Sequence, residues 1–286
     1  MNKWIKRLYI GLFIIIVLVL IVINVGMPMM SFSDEKAYAF FLENEFDGSI
    51  ETINVNGRAV KIVASKPRLT DSILIVFVHG APGSWDAFKN YLVDQDLREH
   101  ARVIAYDRPG YGGSGREAMP DIKDQADVLS EIIKVHGLDK NILVGHSYGG
   151  PIVGNVALNK GRKNDVAIMI APLIDPESEP LRWYSYFSYW KLTSWLLPKD
   201  LVVAGSEKFA HASELELMRE DWKRAPCKII HIHGLKDGLA PGKENINFSK
   251  SNIPKDKLEI VVYPDKGHLL IWNDYNRMKN IILDNL

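Results

Sequence analysis

The sequence predicts an α/β fold, with a mostly parallel central sheet flanked by helices and one apolar helix ahead of it. Three observations predict it. Short Val/Ile-rich runs recur along the chain, punctuated by Gly, Pro or Asp; stretches between them carry apolar residues at helical spacing; and residues 8–30 contain no charge. Continuous apolar strands are expected where helices cover both faces of a sheet. With 286 residues, 47% hydrophobic and 24% charged, the chain can bury a full core. The single Cys227 excludes an internal disulfide and a four-cysteine zinc site. Equal numbers of basic and acidic residues, 35 of each, leave no net field to gather nucleic acid, which is not an expected partner.

The first element is the apolar segment. It follows Lys3, Lys6 and Arg7, and 14 of the 16 residues from 10 to 25 are Ile, Leu, Val or Phe. As a helix, residues 8–30 extend about 34 Å, enough for a hydrocarbon core of roughly 30 Å. A cleaved secretory signal is the competing reading. Its apolar stretch is usually only ~7–15 residues long and ends in small residues, whereas Gly26-Met27-Pro28-Met29-Met30-Ser31 offers no clear cleavage pair. The expectation is a single-pass anchor, residues 1–30, with the basic N-terminus cytoplasmic and the rest outside the cytoplasm, periplasmic or extracellular.

Residues 31–286 then form one catalytic domain, with no repeat and no low-complexity linker. Asn56-Gly57 between alternating segments in residues 50–65 predicts a leading antiparallel hairpin. Buried parallel strands are expected over Ile73–Val78, Arg102–Tyr106, 141–144, Val166–Ile170, 228–232 and Leu258–Tyr263, with a helix over Ile122–His136, where Ala126, Leu129, Ile132 and Ile133 share a face. In such sheets ligands bind beyond the carboxyl ends of the strands.

The first motif there is Gly145-His146-Ser147-Tyr148-Gly149-Gly150, between a strand and a helix expected over 151–159. Flanking glycines permit a sharp turn that exposes Ser147, and the helix N-terminus directs N–H groups at developing negative charge. The pattern G-x-S-x-G arises by chance in a chain this long with a probability of about 0.1, so the strand–turn–helix context carries the assignment.

A serine needs a base oriented by a carboxylate. Among eight histidines, His268 lies in Pro264-Asp265-Lys266-Gly267-His268, just after the last strand, where it can swing toward Ser147. His79 and His146 adjoin the reactive turns and are read as supports; His100, His136 and His211 are read as surface or helix-end residues. His231 and His233 share a strand face, a spacing that also suits a metal pair, but no third ligand is evident and no metal is expected. Asp237, after the penultimate strand, is the candidate carboxylate, in the chain order Ser147, Asp237, His268. Its rivals are Asp175 and Asp265. For the oxyanion hole the candidates are the backbone N–H groups of Tyr148 and of Ala81, in His79-Gly80-Ala81-Pro82-Gly83, since Pro82 has no N–H.

These motifs, together with Asp107-Arg108-Pro109-Gly110-Tyr111-Gly112-Gly113-Ser114, resemble the α/β-hydrolase superfamily over most of residues 50–286. The resemblance implies the α/β-hydrolase fold and a serine hydrolase of the esterase, lipase or amidase kind, working without a cofactor. It gives the Asp107 turn a structural role, and Ser147 in place of an aspartate argues against relatives that open epoxides. It also implies a short helical cap, about residues 172–225. That segment contains Trp183, Tyr184, Tyr186, Phe187, Tyr189, Trp190 and Trp195, and Trp183, Phe187 and Trp190 at helical spacing are candidate substrate-binding residues. The same aromatics could pack on the core or meet the bilayer. The expected activity is hydrolysis of a small-molecule or lipid-like carboxylic ester. An amidase or peptidase, or a non-catalytic tethered binding protein, is the alternative.

Overall fold

The computed structural model describes residues 3–30, 32–183 and 185–286, the side chains of 27–30 excepted, so Tyr184 of the aromatic segment lies outside the described residues. Among the described residues eight strands form one sheet: β1 (Gly48–Val55), β2 (Arg58–Ser65), β3 (Ile73–Val78), β4 (Arg102–Tyr106), β5 (Lys140–His146), β6 (Val166–Ile170), β7 (Lys228–Gly234) and β8 (Leu258–Tyr263). Their order is β1-β2-β4-β3-β5-β6-β7-β8, with β1–β2 and β2–β4 antiparallel and every other pair parallel. The expected hairpin is present. Val55 pairs with Arg58 across Asn56 and Gly57, whose φ values of 52° and 84° are the left-handed pair that a two-residue turn of this type demands.

Alternation along each strand splits the core in two. Leu74, Val76 and Val78 of β3 join one apolar cluster, and Ile75 and Phe77 join the other. The helices are α1 (Lys3–Met30), α2 (Asp34–Glu43), α3 (Lys89–Val93), α4 (Gln95–His100), α5 (Ile122–His136), α6 (Gly149–Lys160), α7 (Ser185–Tyr189), α8 (Lys191–Ser194), α9 (Lys199–Met218), α10 (Gly242–Asn252), α11 (Leu270–Asn273) and α12 (Tyr275–Leu283). Leu129 and Ile132 of α5, Ile152 and Val153 of α6 and Leu215 of α9 cover the first face of the sheet; Phe41 of α2, Tyr91 of α3 and Met278 of α12 cover the second. Helix α1 is different: its span Lys3–Gly26 is long and apolar enough to cross a membrane, and none of it is buried in the protein.

Several expected bounds shift. Strand β5 runs on to His146 and β7 to Gly234, and α6 begins at Gly149 rather than at residue 151. Between β6 and β7 the aromatic run forms no single helix. Helix α7 covers only 185–189, so Trp183 precedes it and Trp190 follows it, and the 20-residue α9 supplies most of the segment's helix.

Candidate active site

Ser147 occupies the turn from β5 into α6 with φ +54°, a left-handed conformation that costs a non-glycine residue roughly 1–3 kcal/mol. The surroundings enforce it. Ser147 N–H donates to the Ile170 carbonyl (3.0 Å), extending the β5–β6 pairing, and Gly150 N–H closes the turn on the Ser147 carbonyl (2.9 Å). A Cβ on Gly145 would lie 2.2 Å from the Gly149 carbonyl oxygen, and one on Gly149 would lie 2.2 Å from that of Val78. Both flanking positions therefore admit only glycine, and the serine is carried up at the end of the sheet.

His268 and Asp237 meet across the loops after β8 and β7. The Nδ1–H of His268 donates to Asp237 Oδ2 (2.8 Å), while Asp237 Oδ1 accepts from Leu239 N–H (2.9 Å) and Ala240 N–H (2.8 Å). Burial alone would raise the Asp237 pKa, but the hydrogen bonds from His233 and His268 outweigh it and hold the carboxyl well below the usual range. The rivals are occupied elsewhere. Asp265 pairs with Lys236 (3.2 Å), and the Asp175 side chain accepts from Glu177 N–H (3.1 Å) at a short helical turn.

Behind Asp237 runs a buried hydrogen-bonded chain that the sequence reading missed. His233 Nε2 faces two acceptors, Asp237 Oδ2 (3.2 Å) and the Ala240 carbonyl (3.0 Å), so it carries the proton. Its Nδ1 then accepts from His231 Nε2 (2.8 Å), and His231 Nδ1 accepts from the Ser249 hydroxyl (2.7 Å). One tautomer of each neutral imidazole satisfies every member. The nitrogens offered as a metal pair are thus taken up with each other and with protein partners. Among the described residues no group of three or more metal-ligating side chains occurs.

His146 links Ser147 to the His268 loop. Its Nε2–H donates to the His268 carbonyl (3.0 Å), and its ring stands 4.9 Å from both the His268 and Trp272 rings. Burial lowers its pKa to about 3. Among the described residues no hydrogen bond joins Ser147 Oγ to His268 Nε2, a contact that often tightens only when substrate is bound.

The Ala81 N–H is oriented by its own peptide plane. The Gly80 carbonyl is drawn inward by His79 Nδ1–H (2.7 Å) and an Arg108 guanidinium N–H (3.0 Å), and across a trans peptide the following N–H points the opposite way. Gly80 itself lies against the elbow, since a Cβ there would be 3.0 Å from Ser147 Cβ. Neither Ala81 N–H nor Tyr148 N–H is taken by an acceptor among the described residues. Arg108, wholly buried, is held in turn by Glu207 of α9 (2.6 Å) and by Gln125 (2.6 Å), and Glu207 also accepts from the Tyr111 hydroxyl (2.7 Å).

Two further readings need correction. His211 is not a surface or helix-end residue: it lies within α9, buried, stacked 4.5 Å from the Tyr148 ring and bonded through Nδ1 to Glu179 (2.7 Å). His136 ends α5 as expected but is buried. Glu207 and His211 share a helix face with Val203 and Leu215, but the partners that allow them to be buried, Arg108 and Glu179, lie far away in sequence. Of the candidate substrate-binding aromatics, Trp183 and Phe187 meet edge to face (5.7 Å) and Trp190 leans on Tyr186 (5.6 Å), all three with exposed rings. Asp107 has a structural place: its carboxylate accepts from Trp85 N–H and Gly113 N–H (2.8 Å each), and burial pushes its pKa up to about 6.

Comparison with known proteins adds three findings. Residues 75–277 match the alpha/beta hydrolase family. The "Epoxide hydrolase B" of Mycobacterium tuberculosis is 26% identical over 108 residues, 37% of this chain and 30% of that protein, so the chain spans under a third of that relative's length. Among solved structures, a putative aryl esterase from Burkholderia cenocepacia covers 82% of this chain and 97% of its own at 22% identity (TM-score 0.66), and a membrane phospholipase A covers 98% of each at 16% identity (TM-score 0.62).

Proposed function

The chain belongs to the alpha/beta hydrolase family, and from that premise we propose that it is a serine hydrolase of carboxylic esters, acting through Ser147, His268 and Asp237. The observation that carries the proposal is the left-handed Ser147 elbow, wedged between two obligatory glycines beside a loop whose histidine is hydrogen-bonded to a buried carboxylate. Epoxide hydrolases are among the relatives, but the elbow residue here is a serine, which favours acyl transfer.

In the proposed reaction His268 takes the hydroxyl proton as Ser147 Oγ attacks the ester carbonyl. Asp237, an acceptor on both oxygens, stabilises the imidazolium. The N–H groups of Ala81 and Tyr148 receive the oxyanion, each such donor being worth ~2.7–4 kcal/mol in the transition state. Collapse expels the alcohol with the proton from His268, and water, deprotonated by the same imidazole, releases the acid and restores the serine. The segment of residues 172–225 serves as the cap, with Trp183, Phe187 and Trp190 offering an apolar wall to the acyl chain.

We further propose that residues 1–30 are a retained anchor, with the basic N-terminus cytoplasmic and the catalytic domain, residues 31–286, outside. The 24-residue span, unburied in the protein, supports this, as does the likeness along the whole chain to a protein described as a membrane phospholipase A. A lipid or lysolipid ester is accordingly the favoured substrate.

Ser147→Ala is expected to lower hydrolysis of a short activated ester by at least about a thousandfold while leaving thermal unfolding unchanged. A fluorophosphonate should label the peptide containing Ser147 in the parent chain only. Retained turnover, or labelling elsewhere, removes the assignment. A panel of matched esters and amides then decides between esterase and amidase.

A further inference from the structure

Residues 180–199 contain Trp183, Trp190 and Trp195, together with Arg182, Lys191 and Lys199, and no acidic residue. Several large apolar side chains among them point outward: Leu192 is 82% exposed and Trp195 74%. Tryptophan and leucine set beside lysine and arginine, with acid excluded, is the chemistry of a membrane interface, and its charge suits anionic headgroups.

The position of this face relative to α1 is the decisive point. Val17, Leu20, Ile21, Asn24 and Val25, one face of the helix, line a cleft with Trp195 and Leu196. Those positions cover about 12 Å of helix, in the half nearer the rest of the chain. Asn24 is the one polar side chain among residues 10–25. Its amide donates to the Leu20 carbonyl (2.9 Å) and to the Leu196 carbonyl (2.8 Å), so the cap satisfies a group that hydrocarbon could not. A bilayer that contains residues 17–25 must therefore also reach Trp195 and Leu196.

We propose that the aromatic and basic face of the cap is seated in the leaflet at which α1 emerges, with Leu192 and Trp195 at the acyl boundary, and that the ester substrate enters the site from that leaflet. The proposal rests on the anchor reading above and names the lipid surface as the partner. It also explains why large apolar side chains stay exposed on a segment only four residues distant, along α9, from the buried Val203.

The full-length chain is reconstituted into vesicles of phosphatidylcholine, with and without phosphatidylglycerol, after Leu192→Cys or Leu69→Cys is labelled with an environment-sensitive fluorophore. Leu69 is exposed on the loop before β3, at the amino end of the parallel strands and away from the site. Cys227 does not compete, being buried, with its thiol pushed up to about 11. The label at 192 is expected to be blue-shifted and quenched by spin-labelled lipid at least threefold more than the label at 69, more strongly with phosphatidylglycerol. A chain that floats with the vesicles while both labels stay equally wet overturns the docking alone; a chain that does not float overturns the anchor as well. A blue shift without lipid quenching means that a second copy covers the face, and also overturns the proposal. As a second readout, Leu192→Ser with Trp195→Ser should cut hydrolysis of a long-chain ester held in vesicles at least tenfold while changing turnover of a short soluble ester less than twofold. Equal losses on both substrates overturn entry from the leaflet.

Discussion

Asp237 accepts four hydrogen bonds, and the one from His233 is the least expected of them. Its effect is to draw charge from the oxygen that also serves His268. Replacing His233 with leucine removes that donor and leaves the carboxylate more basic, so it should stabilise the imidazolium more and release the proton less readily. We expect the acid limb of the kcat/KM profile to move to higher pH by about half a unit or more, with kcat reduced, whereas His233→Gln, which keeps an N–H near the same place, should restore the parent profile. Superimposable profiles for the leucine variant, or no difference between leucine and glutamine, would show that His233 only fills space. The loop positions of Ser147, Asp237 and His268 were legible because each follows a strand and is punctuated by glycine. The His231–His233 chain was visible only as a shared strand face. Its direction depends on Ser249 and the Ala240 carbonyl, which no spacing rule connects to it.

At the scale of elements, α9 is tied to the core by a charge pair with no solvent access: Glu207 on the helix and Arg108 in the turn after β4. Burying two charges costs nearly what their attraction returns, so the pair stabilises little relative to an apolar replacement, yet removing one partner strands the other. Glu207→Leu should thus destabilise the protein by about 3–5 kcal/mol, read by denaturant unfolding. The double variant Arg108→Met, Glu207→Leu should recover most of that loss. Activity should not follow stability, because the Gly80 carbonyl loses one of its two donors and the Ala81 N–H is less firmly aimed; kcat should stay reduced at least tenfold with KM little changed. Full recovery of kcat in the double variant would deny Arg108 any part in orienting the loop. Hairpin β1–β2, strand β3 and helix α5 were legible in the sequence, since their turn residues and periodicities agree with their burial. Helix α9 was not: Glu207 and His211 lie at four-residue spacing between the buried Val203 and Leu215, but as polar residues they leave no apolar stripe to read, and only distant partners make their burial tolerable.

Across the whole molecule, imidazoles are buried at several separate places. His79, His146, His211 and His231 are all buried, and burial is the first cause lowering each pKa, to about 3 for His146 and His211. In the unfolded chain these groups titrate near 6.5. Between that pH and the folded values the unfolded state binds more protons, so stability is intact above about pH 6.5 and falls as the pH is lowered. At pH 5 His146 and His211 each favour unfolding by about 2 kcal/mol and His79 and His231 act in the same direction, while buried Asp107, its pKa pushed up to about 6, holds its proton more tightly when folded and offsets part of the loss. Asp237, held below the usual carboxylate range, adds a further loss only below about pH 4. Calorimetric Tm should accordingly be level from pH 8 to 7, fall between pH 6 and 5, and go on falling toward pH 4.5. Replacing His211 by glutamine should make the slope between pH 6 and 5 shallower, whatever it does to Tm at pH 7.5. A Tm that is flat down to pH 4.5 would mean that these imidazoles gain protons without unfolding, and that the burial seen at all four positions does not exclude water.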